Sequence, residues 1–378
     1  MVTLEQPRTG EKLALPRPMR FAFVMEQQAG MRTQYLNWRR VVEREPAITP
    51  TWVPVTYYEE GGWIERLRFL PGSLRSAWRS YLQTDRGLGH EKYDAVLFNT
   101  HNPAVVHRRS VHTQRAFLMF DVTPVQYDAM AAWYEHAPDK AGWLADMKRR
   151  RVREVFQAAE GLFAWSHWAA QSAIHDYGAD PQRVHLLPPG VDTQLWRPAE
   201  PGQRPDDGLT RILFTGGNFE RKGGDLLLRW ARETGRRGWE LHLVTIDRIE
   251  NPPPGVVVHN DLGSNAAELI ELTRRCDLFA LPTRADCFSI ASLEAMAAGL
   301  PVITSDVGGI ADIVREGETG YLLAPDDFDG LCDRLETLLA SPARRQEMGR
   351  KGREVVCAHF ELRDLVWRGL RIMAGAGE

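Results

Sequence analysis

Twelve short β-rich runs separated by helical stretches leave this chain of 378 residues few folds to choose from. In the first half the runs are Arg20–Met25, Thr51–Val55, Asp94–Phe98, Ala116–Phe120, Gly161–Trp165 and Val184–Leu187. In the second half they are Arg211–Thr215, Glu240–Val244, Gly255–Val258, Asp277–Leu281, Leu300–Thr304 and Gly320–Leu323. Strands that alternate with helices build parallel sheets covered on both faces. Six runs per half predict an α/β chain of two doubly wound, Rossmann-like domains. The composition shifts at Pro188-Pro-Gly190, and Arg197 to Gly208 carries three prolines and two glycines, so the linker is expected there. The expected division is residues 1–195, residues 196–358 and a last helix within 359–378, where Leu362, Leu365, Val366 and Leu370 recur at helical spacing. Two such domains facing one another put their strand ends around a cleft, where α/β sheets bind ligands.

Composition narrows the function classes. With 47 Lys plus Arg against 50 acidic residues, the formal charge of −3 gives no general pull toward nucleic acid. The four cysteines, Cys276, Cys287, Cys332 and Cys357, include no CxxC pair, which argues against a disulfide framework or a zinc site. Met1 to Arg20 is polar and contains prolines, without the apolar core of a signal peptide. No apolar run nears the ~18–20 residues that span a bilayer. A cytoplasmic protein is expected.

The densest chemistry lies in Asp286-Cys-Phe-Ser-Ile-Ala-Ser-Leu-Glu294, followed by Ala-Met-Ala-Ala-Gly-Leu-Pro-Val-Ile303. Ile290, Leu293 and Ala297 recur at helical spacing, and Gly299-Leu-Pro301 stops the helix before the next strand. A helix beginning near Ser289 leaves its first-turn amides without internal partners, aimed above the strand ends. Such a terminus attracts phosphate. Glu294 lies five residues further in, ~7–8 Å deeper along the axis at the usual helical rise. A carboxylate there suits the hydroxyls of a ribose behind the phosphate. The pattern fits a sugar nucleotide.

A second stretch supplies the cations. Arg211-Ile-Leu-Phe-Thr215 runs into Gly216-Gly-Asn-Phe-Glu-Arg-Lys-Gly-Gly224 and then a helical segment. Glycines let the backbone approach a ligand closely, and Arg221 and Lys222 bring charge for a diphosphate, with a solvated basic turn as the plainer reading. A dinucleotide-binding dehydrogenase needs G-x-G-x-x-G after a first strand. Neither Gly216-Gly-Asn-Phe-Glu-Arg nor Met25-Glu-Gln-Gln-Ala-Gly30 supplies it.

The run from Asp286 to Ile303 resembles the signature of retaining glycosyltransferases of family four, the "glycosyl transferases group 1" type, which have the GT-B architecture. Glu294-Ala295, Gly299, Pro301, Val302 and Ile303 match; Asp286 stands where the first Glu is usual, and Ser289 where Gly is usual. Lys222-Gly223 matches the family's phosphate loop, whereas Gly217 occupies its Arg position, so that role passes to Arg221 or is lost. The stretches after the signature helix (with Asp312 for a usual Glu) and from Val184 to Pro198 also resemble the family. The matches cover most of residues 160–325.

In the N-terminal half the resemblance places Gly30, in the turn after the first strand, near the donor phosphates; a plain strand–helix connection is an equal reading. Many relatives carry a His after the fourth strand. Here Phe120-Asp121-Val-Thr-Pro124 offers Asp121, and His101 approaches from the preceding strand end as an acceptor-side candidate, each with a satisfied loop polar group as the alternative. Trp63 to Tyr81, with Arg66, Arg68, Arg75 and Arg79, and Lys148-Arg-Arg-Arg151 with Arg153, read either as solvated helix faces or as contacts for an anionic membrane.

The resemblance implies a retaining, metal-independent hexosyltransferase. It would use a UDP-sugar or GDP-sugar, need no cofactor, and glycosylate a hydroxyl acceptor in glycan, polysaccharide or glycolipid synthesis. Its last helix would cross back to the N-terminal domain. Lys222, Arg221 and amides near Ser289 would stabilise the leaving diphosphate beside Gly216 and Gly217. Asp286 and the Phe288, Ser289 and Ile290 backbone would orient the sugar, Glu294 the ribose, and Asp121 completes the catalytic set. A sugar-nucleotide epimerase of the same fold is one alternative. The other is a nucleotide-sugar-binding protein that has lost its chemistry.

Overall fold

The computed structural model describes residues 17–134, 137–138 and 142–375, so the reading of the first twenty residues falls largely outside it. Two compact units are present. The first comprises the described residues up to Ala131, those from 137 to Gly190 and those from Leu362 onward; the second comprises 132–134 and Val191–Glu361.

Each unit is built on a six-stranded parallel sheet. In the first, β1 (Met19–Glu26), β2 (Ile48–Val55), β3 (Ala95–Asn99), β4 (Ala116–Phe120), β5 (Gly161–Ala164) and β6 (Val184–Leu186) lie in the order β2-β1-β3-β4-β5-β6. In the second, β7 (Thr210–Thr215), β8 (Trp239–Val244), β9 (Val256–His259), β10 (Leu278–Leu281), β11 (Val302–Ser305) and β12 (Gly320–Leu323) lie in the order β12-β11-β10-β7-β8-β9. Every anticipated run became a strand. Central strands such as β3, β4, β10 and β11 are buried along their whole length, as sheets covered on both faces require.

The largest boundary difference is at β2, which begins at Ile48 despite Pro50 and Pro54. It is an edge strand. The Val55 carbonyl accepts from Gln27 N–H at 2.9 Å, while the Ile48 amide turns to the Glu45 carbonyl at 3.1 Å. The even-numbered positions of β2 therefore point away from β1, and proline there removes no ladder bond.

Both expected domain boundaries shift by a few residues. Val191 N–H donates to the Phe360 carbonyl at 2.9 Å and the Thr193 amide to the Glu361 carboxylate at 3.3 Å, which ties 191–195 and 359–361 into the second unit. The final helix, Leu362–Ala374, belongs to the first unit. It is seated through Gly369, where a Cβ would come within 2.8 Å of the Trp38 ring and 2.9 Å of Leu187. Trp38 is itself buried, its ring centre 6.1 Å from that of Phe23 on β1. Among the described residues no helix is long and apolar enough to cross a membrane.

A branched side chain at Gly369 has nowhere to go. Gly369→Val is expected to lower the melting temperature by about 3–8 °C in a thermal unfolding scan. An unchanged transition would mean that the final helix is not seated against Trp38.

Candidate functional site

Three neighbouring strands of the second sheet, β7, β10 and β11, end in loops that are joined backbone to backbone. Gly223 adopts φ +76°, and a Cβ on it would sit 2.0 Å from the Pro282 carbonyl oxygen. Only glycine meets both demands. The Arg221 carbonyl accepts from Arg284 N–H at 2.8 Å and from the Thr283 hydroxyl at 3.2 Å. On the other side Gly308, at φ +57°, would place a Cβ 2.1 Å from the Asp286 carbonyl oxygen.

This joining brings the anticipated charged residues together. Lys222 Nζ is ion-paired to the Asp286 carboxylate, and both side chains are mostly buried. Arg221 donates from Nη1 to the Ala285 carbonyl at 2.6 Å and to the Tyr134 hydroxyl at 3.3 Å, with its guanidinium 4.5 Å from the centre of the Tyr134 ring. Gly216 packs on Lys222, its notional Cβ 2.9 Å from the lysine Cβ, whereas Gly217 has nothing within 4 Å and faces open space.

The helix Ile290–Ala297 starts where expected. Ser289 is its N-cap: the hydroxyl accepts from Ser292 N–H at 3.2 Å, so the residue that departs from the usual glycine gains a capping role. The amides of Ile290 and Ala291 are not taken by the cap. Phe288 is buried just before it. Glu294, further along the helix, is half-buried and borders a small hollow lined by Trp196, Leu213, Thr215 and Phe279 among others. Those walls are largely apolar, and burial pushes the Glu294 carboxyl up to about 8.

The N-terminal candidates lie in the first unit, each just past the C-terminal end of a strand. Gly30 is in the first turn of the helix Ala29–Val42 after β1, and is exposed. His101 begins a short helix after β3; it is buried, its ring centre is 5.8 Å from that of Phe156, and its Nδ1 has no partner. Burial lowers its imidazole to about 4, so it stays neutral at physiological pH. Asp121 follows β4 and is half-buried.

Two groups escaped the sequence reading. Glu26, the last residue of β1, is buried and its Oε1 accepts from the Tyr57 and Thr100 hydroxyls at 2.5 Å each, with Asn102 Nδ2 at 3.4 Å. Burial raises its carboxyl despite these donors. The other is the Trp133–Tyr134 pair, which stands 87 positions from Arg221 at its tyrosine and has no local periodicity to reveal it. Among the described residues no group of three or more His, Cys, Asp or Glu side chains is placed to hold a metal ion, and none of the four cysteines is in a disulfide.

The family model "Glycosyl transferases group 1" matches residues 202–355, and the model "Glycosyltransferase Family 4" matches residues 44–195. An MMP alpha-(1->4)-mannosyltransferase of Mycolicibacterium hassiacum is 30% identical over 238 residues, 60% of this chain and 56% of that protein. The chain spans about half the length of the curated relatives it matches. Among solved structures, a sucrose-phosphate synthase from Thermosynechococcus elongatus superposes with a TM-score of 0.75 at 16% identity, over 95% of this chain and 99% of that one. An Anabaena protein solved in complex with UDP-glucose gives 0.65 at 15% identity, over 94% and 100%. At these identities the structures speak for the fold alone.

Glu294 makes stability depend on pH. Its folded value of about 8 lies above the 4.5 of a free carboxyl, so the folded chain holds a proton that the unfolded chain releases. Stability contributed this way is present at low pH and lost as pH rises from about 4.5 through about 8. Glu294→Gln is expected to flatten the fall in melting temperature between about pH 5 and pH 9 relative to the parent chain. Parallel slopes would show that the carboxyl is not held in its protonated form.

Proposed function

The chain belongs to the family 4 glycosyltransferases of the group 1 type, and from that premise we propose that it moves a hexosyl group from a UDP-sugar or GDP-sugar to a hydroxyl acceptor, with retention and without a metal. The observation that carries the reading is the clustering, at one end of a parallel sheet, of Lys222, Arg221, Asp286, the capped helix terminus at Ile290 and the hollow beside Glu294. A diphosphate fits the two cations and the free amides, the sugar lies at Asp286 and the Phe288–Ile290 backbone, and the ribose diol reaches Glu294. UDP-glucose, a donor of the proposed class, is bound by an Anabaena protein that shares the fold.

In this mechanism the acceptor oxygen bonds to the anomeric carbon as the bond from that carbon to the diphosphate breaks, on the same face, and the acceptor's hydroxyl proton passes to the departing phosphate oxygen. Lys222, Arg221 and the helix amides take the charge that builds on the departing phosphate oxygen, the work a divalent ion does elsewhere. Donor entry exchanges partners: Lys222 turns from Asp286 to phosphate, and Asp286 is released to the sugar hydroxyls. At strand ends of the first unit, Gly30 is kept as a donor-phosphate candidate, Asp121 as a catalytic candidate and His101 as the acceptor-side candidate.

Contact with an anionic bilayer is a second element of the proposal. Arg79, counted among the basic residues near Trp78, is 1% exposed and held by Glu59 and Glu65, so that stretch offers less charge than its sequence suggests. The start of the helix Trp143–Ala158 fits better: Trp143 and Leu144 are exposed ahead of Lys148, Arg149, Arg150 and Arg151. Co-sedimentation with anionic vesicles at low salt, weakened by Trp143→Ala with Leu144→Ala, is the expected result. No binding at low salt removes the bilayer.

Because Lys222 neutralises a mostly buried carboxylate, Lys222→Ala is expected to lower stability as well as activity. Lys222→Ala with Asp286→Asn should regain the melting temperature while donor turnover stays down by about 100-fold or more. Parent-like turnover in Lys222→Ala would remove the diphosphate role. Thermal shift against UDP, GDP and ADP identifies the base, since a ligand selective for the folded state raises its melting point.

A further inference from the structure

The phosphate loop carries its cations on adjacent residues, and their surroundings differ. Lys222 is matched by Asp286. Arg221 has no carboxylate partner among the described residues; it is held by a neutral carbonyl, that of Ala285, and by the face and hydroxyl of Tyr134. Its Nε and Nη2 have no partner among the described residues, so two sides of the fork stay available. The Tyr134 phenol is kept protonated, because burial together with the neighbouring Cys287 and Asp286 raises it far above its ordinary value. A neutral ring can fix a guanidinium without cancelling its charge, which a carboxylate cannot. The preceding residue anchors the arrangement: Trp133 lies over Arg284, 5.2 Å from guanidinium to ring centre, and Arg284 is tied to Asp225 at 2.6 Å and Asp326 at 2.5 Å. Arg284 N–H in turn holds the Arg221 carbonyl. Backbone and side chain of Arg221 are thus fixed from two ends by one short aromatic segment. Meanwhile Gly217, one turn of loop away, supplies no charge and opens onto free space.

We propose that Tyr134 is a positioning residue for Arg221, and that the Trp133–Tyr134 pair thereby supplies the donor's diphosphate with the second cation that Gly217 does not provide. The proposal rests on the nucleotide-sugar reading above and adds to it a group that recognises the diphosphate specifically. Removing the ring frees Arg221 to wander, and the loss falls on ligands with two phosphates. A cation placed at Gly217, where φ is ordinary and nothing obstructs a side chain, should substitute for it.

The test is a titration of the full chain with UDP and UMP, and with GDP and GMP, for the parent, Tyr134→Phe, Tyr134→Leu, and Tyr134→Leu combined with Gly217→Arg. Melting temperatures are recorded alongside. Tyr134→Phe should stay within about threefold of the parent, since the ring is kept. Tyr134→Leu should weaken the diphosphate about tenfold and the monophosphate much less, raising the donor KM more than it lowers kcat. Gly217→Arg should restore diphosphate affinity in the Tyr134→Leu background. Equal losses for the mono- and diphosphate, or no rescue by Gly217→Arg, would overturn the proposal in favour of a purely structural tyrosine. Diphosphate binding by the parent with an unchanged Tyr134→Leu variant ends this proposal alone. No binding of either diphosphate by the parent ends the nucleotide-sugar reading and this one with it.

Discussion

No side chain fits at Gly223, and the candidate site depends on that. The loop after β7 and the loop after β10 approach until backbone meets backbone, and a single methyl at this position would overlap the Pro282 carbonyl. From that contact the rest follows in order. Arg221 and Arg284 share a backbone hydrogen bond, Lys222 faces Asp286, and Gly308 closes the third loop onto the Asp286 carbonyl. Parallel sheets present their strand ends to ligands as a matter of topology. Here the close backbone approach at neighbouring strand ends turns a row of separate loops into one rigid rim.

The rim carries charge economically. Among the described residues of the rim, Lys222, Asp286, Arg221 and Arg284 each have a neutralising or fixing neighbour, whereas the half-buried Glu294 carboxyl borders an apolar hollow that favours its protonated form. Glu26 in the first unit behaves alike in one respect: four hydrogen-bond donors gather on one oxygen and burial still dominates. Both carboxyls follow the same rule, that desolvation of a charge outweighs a few neutral donors. Lys222 and Asp286 solve the problem differently, by pairing.

Much of this was legible in the residues. The alternation of apolar runs with helical spacing located all twelve strands, because a strand buried on both faces has to be apolar throughout. The helix at Ile290 was legible from the spacing of Ile290, Leu293 and Ala297 and from its Gly299 stop, and the Lys222–Asp286 neighbourhood from two motifs with similar ligands in view. What stayed hidden was non-local. Nothing near Tyr134 announces a guanidinium 87 positions away, and nothing near Arg79 says that Glu59 and Glu65 will bury it. The carboxyl of Glu26 ended a strand that read as plain β-structure, while its partners Tyr57, Thr100 and Asn102 follow the ends of other strands, the last of them in a short helix. Such clusters form only once the sheet has set its order.

The two prolines of β2 bear on how the chain survives its own assembly. Parallel sheets pair residues distant in sequence and form slowly, so an open flank persists while the remaining strands arrive. An uncovered flank recruits any extended segment that can donate and accept along it, including one from another molecule. On β2 the outward-facing amides alternate along the strand, and Pro50 and Pro54 delete two of them without touching the inward ladder to β1. A foreign segment would find a comb with missing teeth, and the growing sheet is thereby steered away from aggregation during the interval when it is most exposed.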